Sequence, residues 1–319
     1  MEWTMYCIGF DIGGTKCAVS LGEIKNGGIE ILGREETPTL PSAEQTLENL
    51  ASAIERFKEG KEIAASGISC GGPLDSTKGV IISTPNLPHW HGFAIVDYIQ
   101  KRFGLKAKLQ NDANACAVAE WKFGAGKGTK NMVFLTFGTG LGAGLILDGR
   151  LYSGTNDNAG ETGHIRLAKS GPVGFGKAGS FEGFCSGGGI TQLAKIMASR
   201  VKKMPDCIME MGGMSAITTK KLAQKAFEGD KFCKRVFAKS GEILGKGLSI
   251  LIDVLNPEKI VLGGVFMRSS ALLVPTMRKQ IEREALDLSA QVCEIVPAKL
   301  SENIGDMAAL ALAASEMGV

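Results

Sequence analysis

Several common signals are missing from this 319-residue sequence, and each absence narrows the class of protein. No apolar run approaches the ~20 residues that span a bilayer, and the N-terminus lacks a basic segment followed by a long apolar one, so we expect neither a membrane protein nor a secretory signal. The net charge is only +3, and acidic and basic residues are mixed without a basic block. We therefore expect no nucleic acid as the main partner.

The eight cysteines form no C-x-x-C pair, and several lie in apolar segments. This usage is typical of buried, reduced thiols, so we expect a cytoplasmic protein without a disulfide framework. The sequence also lacks G-x-x-x-x-G-K-[ST], which excludes a P-loop protein. Gly138-x-Gly140-x-x-Ala143 has the spacing of the dinucleotide fingerprint, but that fingerprint opens a helix, and here the following residues have the pattern of a strand.

A glycine turn near the N-terminus is the most informative feature that is present. The apolar run 6–10 leads into Asp11-Ile-Gly-Gly-Thr-Lys16, and a second apolar run follows, which predicts a β-hairpin. Gly13 and Gly14 would let backbone N–H groups approach an anion, Thr15 and Lys16 add a hydroxyl and a positive charge, and Asp11 could hold a divalent cation through water. An ordinary Gly-rich hairpin is the alternative.

Two further glycine turns favour the nucleotide interpretation. The apolar run 132–137 ends in Gly138-Thr139-Gly140-Leu141-Gly142, and the run 259–262 ends in Gly263-Gly264-Val265. Three strands that each end in such a turn indicate several loops around one extended anionic ligand, such as ATP.

Asn111-Asp112-Ala113-Asn114 is the best candidate for the catalytic segment, because a short strand there meets the start of a helix. A carboxylate at a helix N-terminus stays ionised, and an ionised aspartate could accept the proton of a substrate hydroxyl. The same pattern is also typical of a plain Asp or Asn N-cap.

Glu161-Thr-Gly-His164 lies in a loop rich in glycine and asparagine, where a turn would point Glu161 and His164 the same way. Carboxylate and imidazole could bind the hydroxyls of a sugar, with Glu182 as a further polar contact. A surface loop with unrelated polar groups is the alternative. His89 and His91 are interpreted as loop packing.

The order of elements predicts two α/β domains, which agrees with a length of about two domains at roughly 100–200 residues each. The first domain spans residues 1–123, and a Gly-rich break near 124–128 begins the second, which spans 124–302. We expect an Ala-rich helix within 303–319 to pack back on the first domain.

These motifs, taken together and in this order, resemble the ROK family of sugar kinases and sugar-responsive repressors, within the superfamily of actin, the heat-shock ATPases and hexokinase. The resemblance covers essentially the whole chain. It implies two ribonuclease-H-like domains flanking a cleft, transfer of a phosphoryl group from MgATP to a hexose hydroxyl, usually on carbon 6, and a homodimer. It places the general base on Asp112. It implies contacts to nucleotide and phosphate from Asp11, Gly13, Gly14, Thr15, Lys16, Gly138, Thr139, Gly140, Gly263 and Gly264, and sugar contacts from Gly72, Asn86, Asn111, Asp112, Glu161, His164 and Glu182.

The sequence departs from the family at its zinc loop. Many members bind a structural zinc with three cysteines and the histidine of this signature, whereas Val173, Phe175 and Ser180 stand here at the cysteine positions. Since His164 alone remains and zinc needs about four ligands, we predict no structural zinc. We expect Phe175, and with it the aromatic rings 181 and 184, to hold the loop by packing.

Two alternatives to a hexose or N-acylhexosamine kinase stay open. The first is a sugar-sensing repressor, a branch of the family that carries an N-terminal helix-turn-helix. The phosphate loop at residue 11 leaves no room for such a segment. We therefore expect at most a regulator without its own DNA-binding helices. The second is a degenerate kinase kept for binding or assembly, which the missing cysteines suggest and the intact Asp112 and glycine turns argue against.

Overall fold

The computed structural model describes residues 4–138, 140–300 and 304–318. Within these ranges the strands are β1 (Met5–Ile12), β2 (Lys16–Lys25), β3 (Gly28–Pro38), β4 (Ile63–Cys70), β5 (Leu74–Asp75), β6 (Val80–Ile81), β7 (Ala107–Asn111), β8 (Met132–Phe137), β9 (Leu141–Leu147), β10 (Arg150–Leu151), β11 (Val173–Gly174), β12 (Lys177–Ala178), β13 (Lys259–Leu262) and β14 (Glu294–Pro297). The α-helices are α1 (Ala43–Asn49), α2 (Ala51–Lys58), α3 (Ile95–Phe103), α4 (Asp112–Phe123), α5 (Phe181–Cys185), α6 (Gly187–Ser199), α7 (Asp206–Glu210), α8 (Thr219–Phe227), α9 (Lys231–Leu255), α10 (Val265–Glu284), α11 (Asp287–Val292) and α12 (Ile304–Glu316).

The chain divides into two compact units that follow the sequence only in part. Unit 1 comprises residues 1–130, 144–160 and 299–319, and unit 2 comprises residues 131–143 and 161–298. The segment 144–160 thus belongs to unit 1, although the sequence alone places it after the break at 124–128. Its assignment follows from packing, since β9 at Gly144 lies so close to α4 that a Cβ there would overlap Ala117 and the carbonyl of Ala113.

The first sheet has the strand order β3-β2-β1-β4-β7. β1, β2 and β3 pair antiparallel, while β4 and β7 continue the sheet in parallel with β1. One face packs on α1, α2 and α3 through a large apolar core. The other face carries the Ala-rich α12, whose backbone comes so near that Gly67 of β4 has no room for a side chain.

The second sheet has the order β10-β9-β8-β13-β14. β8, β13 and β14 are parallel, and β9 pairs antiparallel with the short β10. The long helices α9 and α10 pack against each other in unit 2, where Gly241 and Gly245 of α9 admit the backbone of α10 at Leu273 and Met277. In the part of the chain that the structure describes, no helix is long and apolar enough to cross a bilayer.

Most predicted elements form, with local differences. The sequence pattern over 43–58 predicts a single helix, but the structure divides it at Leu50, which is fully buried in the core between α1 and α2. The apolar run from Val292 predicts a late strand, which begins only at Glu294 because Val292 still closes α11. The predicted helix within 303–319 is seen as α12, and its first and last expected residues lie outside the described ranges.

Candidate active site

The first glycine turn joins β1 to β2 and leaves its polar groups open to solvent. The Gly13 amide donates to the carbonyl of Lys16 across 3.2 Å, which closes the turn, and the Thr15 and Lys16 side chains are exposed. Lys16 is paired with Glu36 at 2.9 Å, an exposed contact of the kind that contributes little to stability. Its ammonium group can therefore exchange this partner for a phosphate at low cost.

Gly14 is required by packing against Asn86, another residue predicted for the site. A Cβ at position 14 would lie 2.6 Å from the Asn86 carbonyl oxygen, closer than real Cβ contacts come. The structure thus brings the predicted phosphate turn and a predicted sugar contact together within unit 1. The sequence gives no signal for this contact, since the two residues are far apart along the chain.

Asp11 lies at the end of β1 among other acidic groups. Burial, followed by the nearby carboxylates of Asp306 and Asp112, raises the pKa of Asp11 to about 6, although Arg34 and Lys16 oppose the shift. Asp306 itself accepts a hydrogen bond from the Ser20 hydroxyl at 2.7 Å and from Nε of Arg34 at 2.9 Å. A cluster of neighbouring carboxylates is a suitable environment for a divalent cation, which prefers oxygen ligands.

The Arg34–Asp306 pair was not predicted from the sequence. Its members are 272 positions apart, and neither belongs to a motif. The first turn of α12 brings Asp306 to β2, and at Gly305 a Cβ would approach the Asp11 carboxylate to 2.5 Å. The C-terminal helix therefore completes the surroundings of Asp11.

Asp112 is the first residue of α4 and directly follows β7. Its Oδ1 accepts the Ala113 amide at 2.7 Å, and the Asn111 side chain, as the N-cap, accepts the same amide at 3.0 Å. The capping interpretation thus holds for Asn111, while the Asp112 side chain remains exposed to solvent. The surrounding protein nevertheless raises the pKa of Asp112 by desolvation, which its backbone hydrogen bonds oppose. A solvent-accessible carboxylate with a raised pKa is suited to accept a proton.

Gln110 and Asn114 fix this segment, and neither was singled out from the sequence for that role. Gln110 Oε1 accepts the Asn111 amide at 2.8 Å and Asn114 Nδ2 at 3.2 Å. The Oδ1 of Asn114 is buried and has no hydrogen-bond partner within the described residues. Such an atom in a native site calls for an explanation, and a bound ligand or water would supply one.

Gly72 follows β4 and precedes Pro73 through a cis peptide bond. A Cβ at Gly72 would lie 3.1 Å from Asn111 Nδ2, so this predicted sugar contact adjoins the segment that is predicted to be catalytic. The Thr84 hydroxyl donates to the Gly71 carbonyl at 2.8 Å and holds the loop in place. Unit 1 therefore gathers nine predicted residues around one end of its sheet: Asp11, Gly13, Gly14, Thr15, Lys16, Gly72, Asn86, Asn111 and Asp112.

The second glycine turn, between β8 and β9, belongs to unit 2. The Gly138 amide donates to the Gly140 carbonyl at 3.0 Å, and open space surrounds the position of a Cβ at Gly138. Thr139, which we predict to contact phosphate, lies outside the described residues. Glu182 Oε2 accepts the Leu141 amide at 3.0 Å, so this predicted sugar contact adjoins the turn.

The predicted sugar signature forms a short 3-10 helix, Thr162–His164, next to the exposed Glu161. The His164 ring meets the Phe175 ring edge to face at 5.1 Å, and its carbonyl accepts Lys177 Nζ at 2.8 Å. The Thr162 hydroxyl is buried and, among the residues described, finds no partner. Phe175, which stands at one of the predicted cysteine positions of the zinc loop, thus contacts the His164 ring. The absence of a structural zinc from this loop stays a prediction.

The third glycine turn ends β13 and opens α10. Gly264 adopts φ +64°, and a Cβ there would overlap the carbonyl of Phe137 at the end of β8. Glycine is therefore required, and the two neighbouring strand ends lie close together in unit 2. Unit 2 contributes the remaining described residues of the predicted site: Gly138, Gly140, Glu161, His164, Glu182, Gly263 and Gly264.

Comparison with known proteins agrees with this fold and set of loops. The structure is similar to a ROK family glucokinase from Streptomyces griseus, solved with glucose and AMPPNP, at TM-score 0.76 and 29% identity over 97% of this chain and 99% of that one. The α/β fold is that of the actin-like ATPases, as predicted. The chain belongs to the ROK family, whose sequence profile matches residues 7–316.

Its relatives include both kinases and regulators. A glucokinase of Streptomyces coelicolor is 31% identical over 310 residues, 96% of each chain. The N-acetylglucosamine repressor of Escherichia coli is 28% identical over 296 residues, which are 88% of this chain and 68% of the repressor. The glucokinase relatives and the kinase structures support a sugar kinase that uses ATP.

Proposed function

We propose that this protein transfers the γ-phosphoryl group of MgATP to a hydroxyl, the one on carbon 6, of a hexose or N-acylhexosamine. The observation that carries the proposal is the Asp112 carboxylate, which is exposed at the first turn of α4 while its neighbours Asn111 and Gln110 are held by hydrogen bonds. A base that orients the attacking hydroxyl suits phosphoryl transfer, where positioning contributes most of the catalysis.

The remaining residues are proposed in matching roles. Asp11 would hold Mg²⁺ through water, and the neighbouring carboxylates, which together with the stronger effect of burial raise the pKa of Asp11, support a cation there. The cation would neutralise charge on the transferred group. Backbone amides of the glycine turns would bind the phosphates, with Lys16 as a point charge. Glu161, His164 and Glu182, with Asn86, Asn111 and Gly72, would bind sugar hydroxyls.

The test is release of ADP in a coupled assay with MgATP and a panel of hexoses and N-acetylhexosamines. We expect turnover on at least one sugar, and a loss of about 10²- to 10⁴-fold in kcat for Asp112→Asn. Asp97→Asn is the matched control, since this exposed aspartate on α3 pairs with Lys101 in the same unit and belongs to none of the motifs. A folded Asp112→Asn variant with the turnover of the Asp97→Asn control would contradict the assignment.

A sugar-binding regulator is the second candidate, and the repressor relative supports it. In that case the protein would bind a sugar from the panel, measured by calorimetry, without releasing ADP. Asp112→Asn would then change sugar affinity alone.

A further inference from the structure

Two buried thiols and a carboxylate meet in unit 2, and none of the three is a residue proposed for the kinase reaction. Cys207 lies in α7, Cys233 lies in the first turn of α9, and Asp230 is the N-cap of α9. Within the described ranges, this is the one group of three ligand-type side chains whose donor atoms all lie within 4.8 Å of one another.

The distances fit a tetrahedral metal ion. The two sulfur atoms are 3.8 Å apart. Zinc–sulfur bonds of about 2.3 Å at a tetrahedral angle place two sulfur ligands about 3.8 Å apart. The Asp230 carboxylate, at 4.8 Å or less from both sulfurs, needs to move by about 1 Å to reach the corresponding position for oxygen. Asp230 is half-buried, so a water molecule can supply the fourth ligand.

The carboxylate is prepared for this role by its own hydrogen bonds. Its Oδ1 accepts the Cys233 amide at 2.7 Å, which fixes its place at the helix N-terminus. The carboxylate is thereby held beside the two sulfur atoms.

We propose that Cys207, Asp230 and Cys233 bind one soft or borderline divalent cation of the Zn²⁺ class. Binding exchanges the two thiol protons, which are released to solvent, for two metal–sulfur bonds, and no electron is transferred. The ion ties α7 to the first turn of α9 and so stabilises the segment 200–230. This site is distinct from the zinc loop at His164, to which the prediction from the sequence refers.

The test uses the reduced full-length chain, stripped of metal with a chelator and titrated with Co²⁺. We expect one Co²⁺ per chain, with a sulfur-to-cobalt charge-transfer band and the visible bands of a tetrahedral site, and displacement by Zn²⁺. Asp230→Asn keeps an acceptor for the Cys233 amide, so the helix cap is retained while Co²⁺ binds about 10- to 100-fold more weakly.

Cys207→Ser and Cys233→Ser are expected to remove the charge-transfer band. Cys293→Ser is the matched control, because this half-buried thiol lies between α11 and β14, and it should bind Co²⁺ like the parent chain. If a serine variant does not fold, the test is the rise in Tm that Zn²⁺ induces. We expect this rise in the parent chain and a smaller rise in Asp230→Asn, and equal rises in both would contradict the site.

Three results would overturn the proposal. The first is a titration of the parent chain without a charge-transfer band at one equivalent. The second is an unchanged band in folded Cys233→Ser. The third is the combination of two observations: the reduced chain binds no Co²⁺, and the same chain forms a Cys207–Cys233 disulfide when it is exposed to hydrogen peroxide. That result would make the two thiols a redox couple. None of these readouts depends on kinase activity.

Discussion

The two five-stranded sheets share one strand order but differ in what stands at corresponding strand ends. Each has a meander of three strands continued by two parallel strands, β3-β2-β1-β4-β7 in one and β10-β9-β8-β13-β14 in the other. Gly71-Gly72 follows β4, and Gly263-Gly264 follows β13, so the glycine pair is common to both.

The carboxylates are not common to both sheets. β1 brings Asp11 to its end, whereas its counterpart β8 ends at Phe137; β7 is followed by Asp112, whereas β14 is followed by Ala298. The acidic side chains therefore lie at the strand ends of the first sheet, and apolar residues occupy the corresponding positions of the second sheet. Both sheets need the glycine turns for their topology, whereas we expect the base and the cation site at the first sheet alone.

Replacing one carboxylate in each unit is expected to give the largest contrast in kinetics. Asp112→Asn should lower kcat about 10²- to 10⁴-fold, because the hydroxyl loses its proton acceptor. Glu182→Gln should mainly raise KM for the sugar, since its carboxylate accepts the Leu141 amide and an amide oxygen can do the same. Steady-state kinetics on both variants measure this difference, and equal losses of kcat would contradict the assignment of base chemistry to unit 1 alone.

Asp11→Asn is expected to stabilise the fold while it reduces turnover. Because the folded pKa is about 6 and the ordinary value is 3.8, the ionised carboxylate disfavours folding above pH 6 by at most about 3 kcal/mol. Below pH 3.8 both states are protonated, so the advantage of the variant should disappear there. Urea unfolding at pH 7.5 and at an acidic pH measures it, and a variant less stable than the parent at pH 7.5 would contradict the account.

The sequence predicts β1, β8 and β13 well because each contains a short apolar run that leads into a glycine turn, and Asp11 directly follows the first of these runs. Asp112 is predicted by a different signal, a short strand that meets the start of a helix. The sequence does not predict the contacts that complete the site. Arg34 and Asp306, or Gly14 and Asn86, are joined by packing between distant segments and leave no local pattern. Cys207 and Cys233 are likewise distant along the chain, so the sequence predicts each of them only as a buried thiol. The boundary between the two units likewise lies within β9, between Ala143 and Gly144, where the apolar pattern of the sequence shows no interruption.

The two glycine turns should respond differently to an added methyl group. Gly14→Ala should cost about 1–3 kcal/mol of unfolding free energy, since a Cβ there meets Asn86 at 2.6 Å. Gly138→Ala should leave the free energy of unfolding nearly unchanged, because its Cβ meets open space, and should raise KM for ATP instead. Thermal or urea unfolding distinguishes them, and equal destabilisation would show that the second turn is packed as tightly as the first.

The pH profile provides the finest comparison. Because the pKa of Asp11 is raised to about 6, we expect kcat/KM to fall about tenfold per unit as pH drops below about 6. Desolvation also raises the pKa of Asp112, so protonation of Asp112 should steepen the fall at acidic pH. Glu182→Gln should keep this acidic limb. A parent profile that stays flat down to pH 4.5 would show that Asp11 does not act in its ionised form.

The central claim is that Asp112 accepts the proton of a bound sugar hydroxyl. The most direct measurement is a single-turnover experiment on the parent chain and on Asp112→Asn, after calorimetry has shown that both bind sugar and nucleotide alike. Each protein is saturated with the best sugar of the panel and mixed with radiolabelled MgATP. The account predicts a labelled sugar phosphate from the parent chain and transfer at least about 10²-fold slower from the variant. Transfer at the parent rate by Asp112→Asn would contradict it.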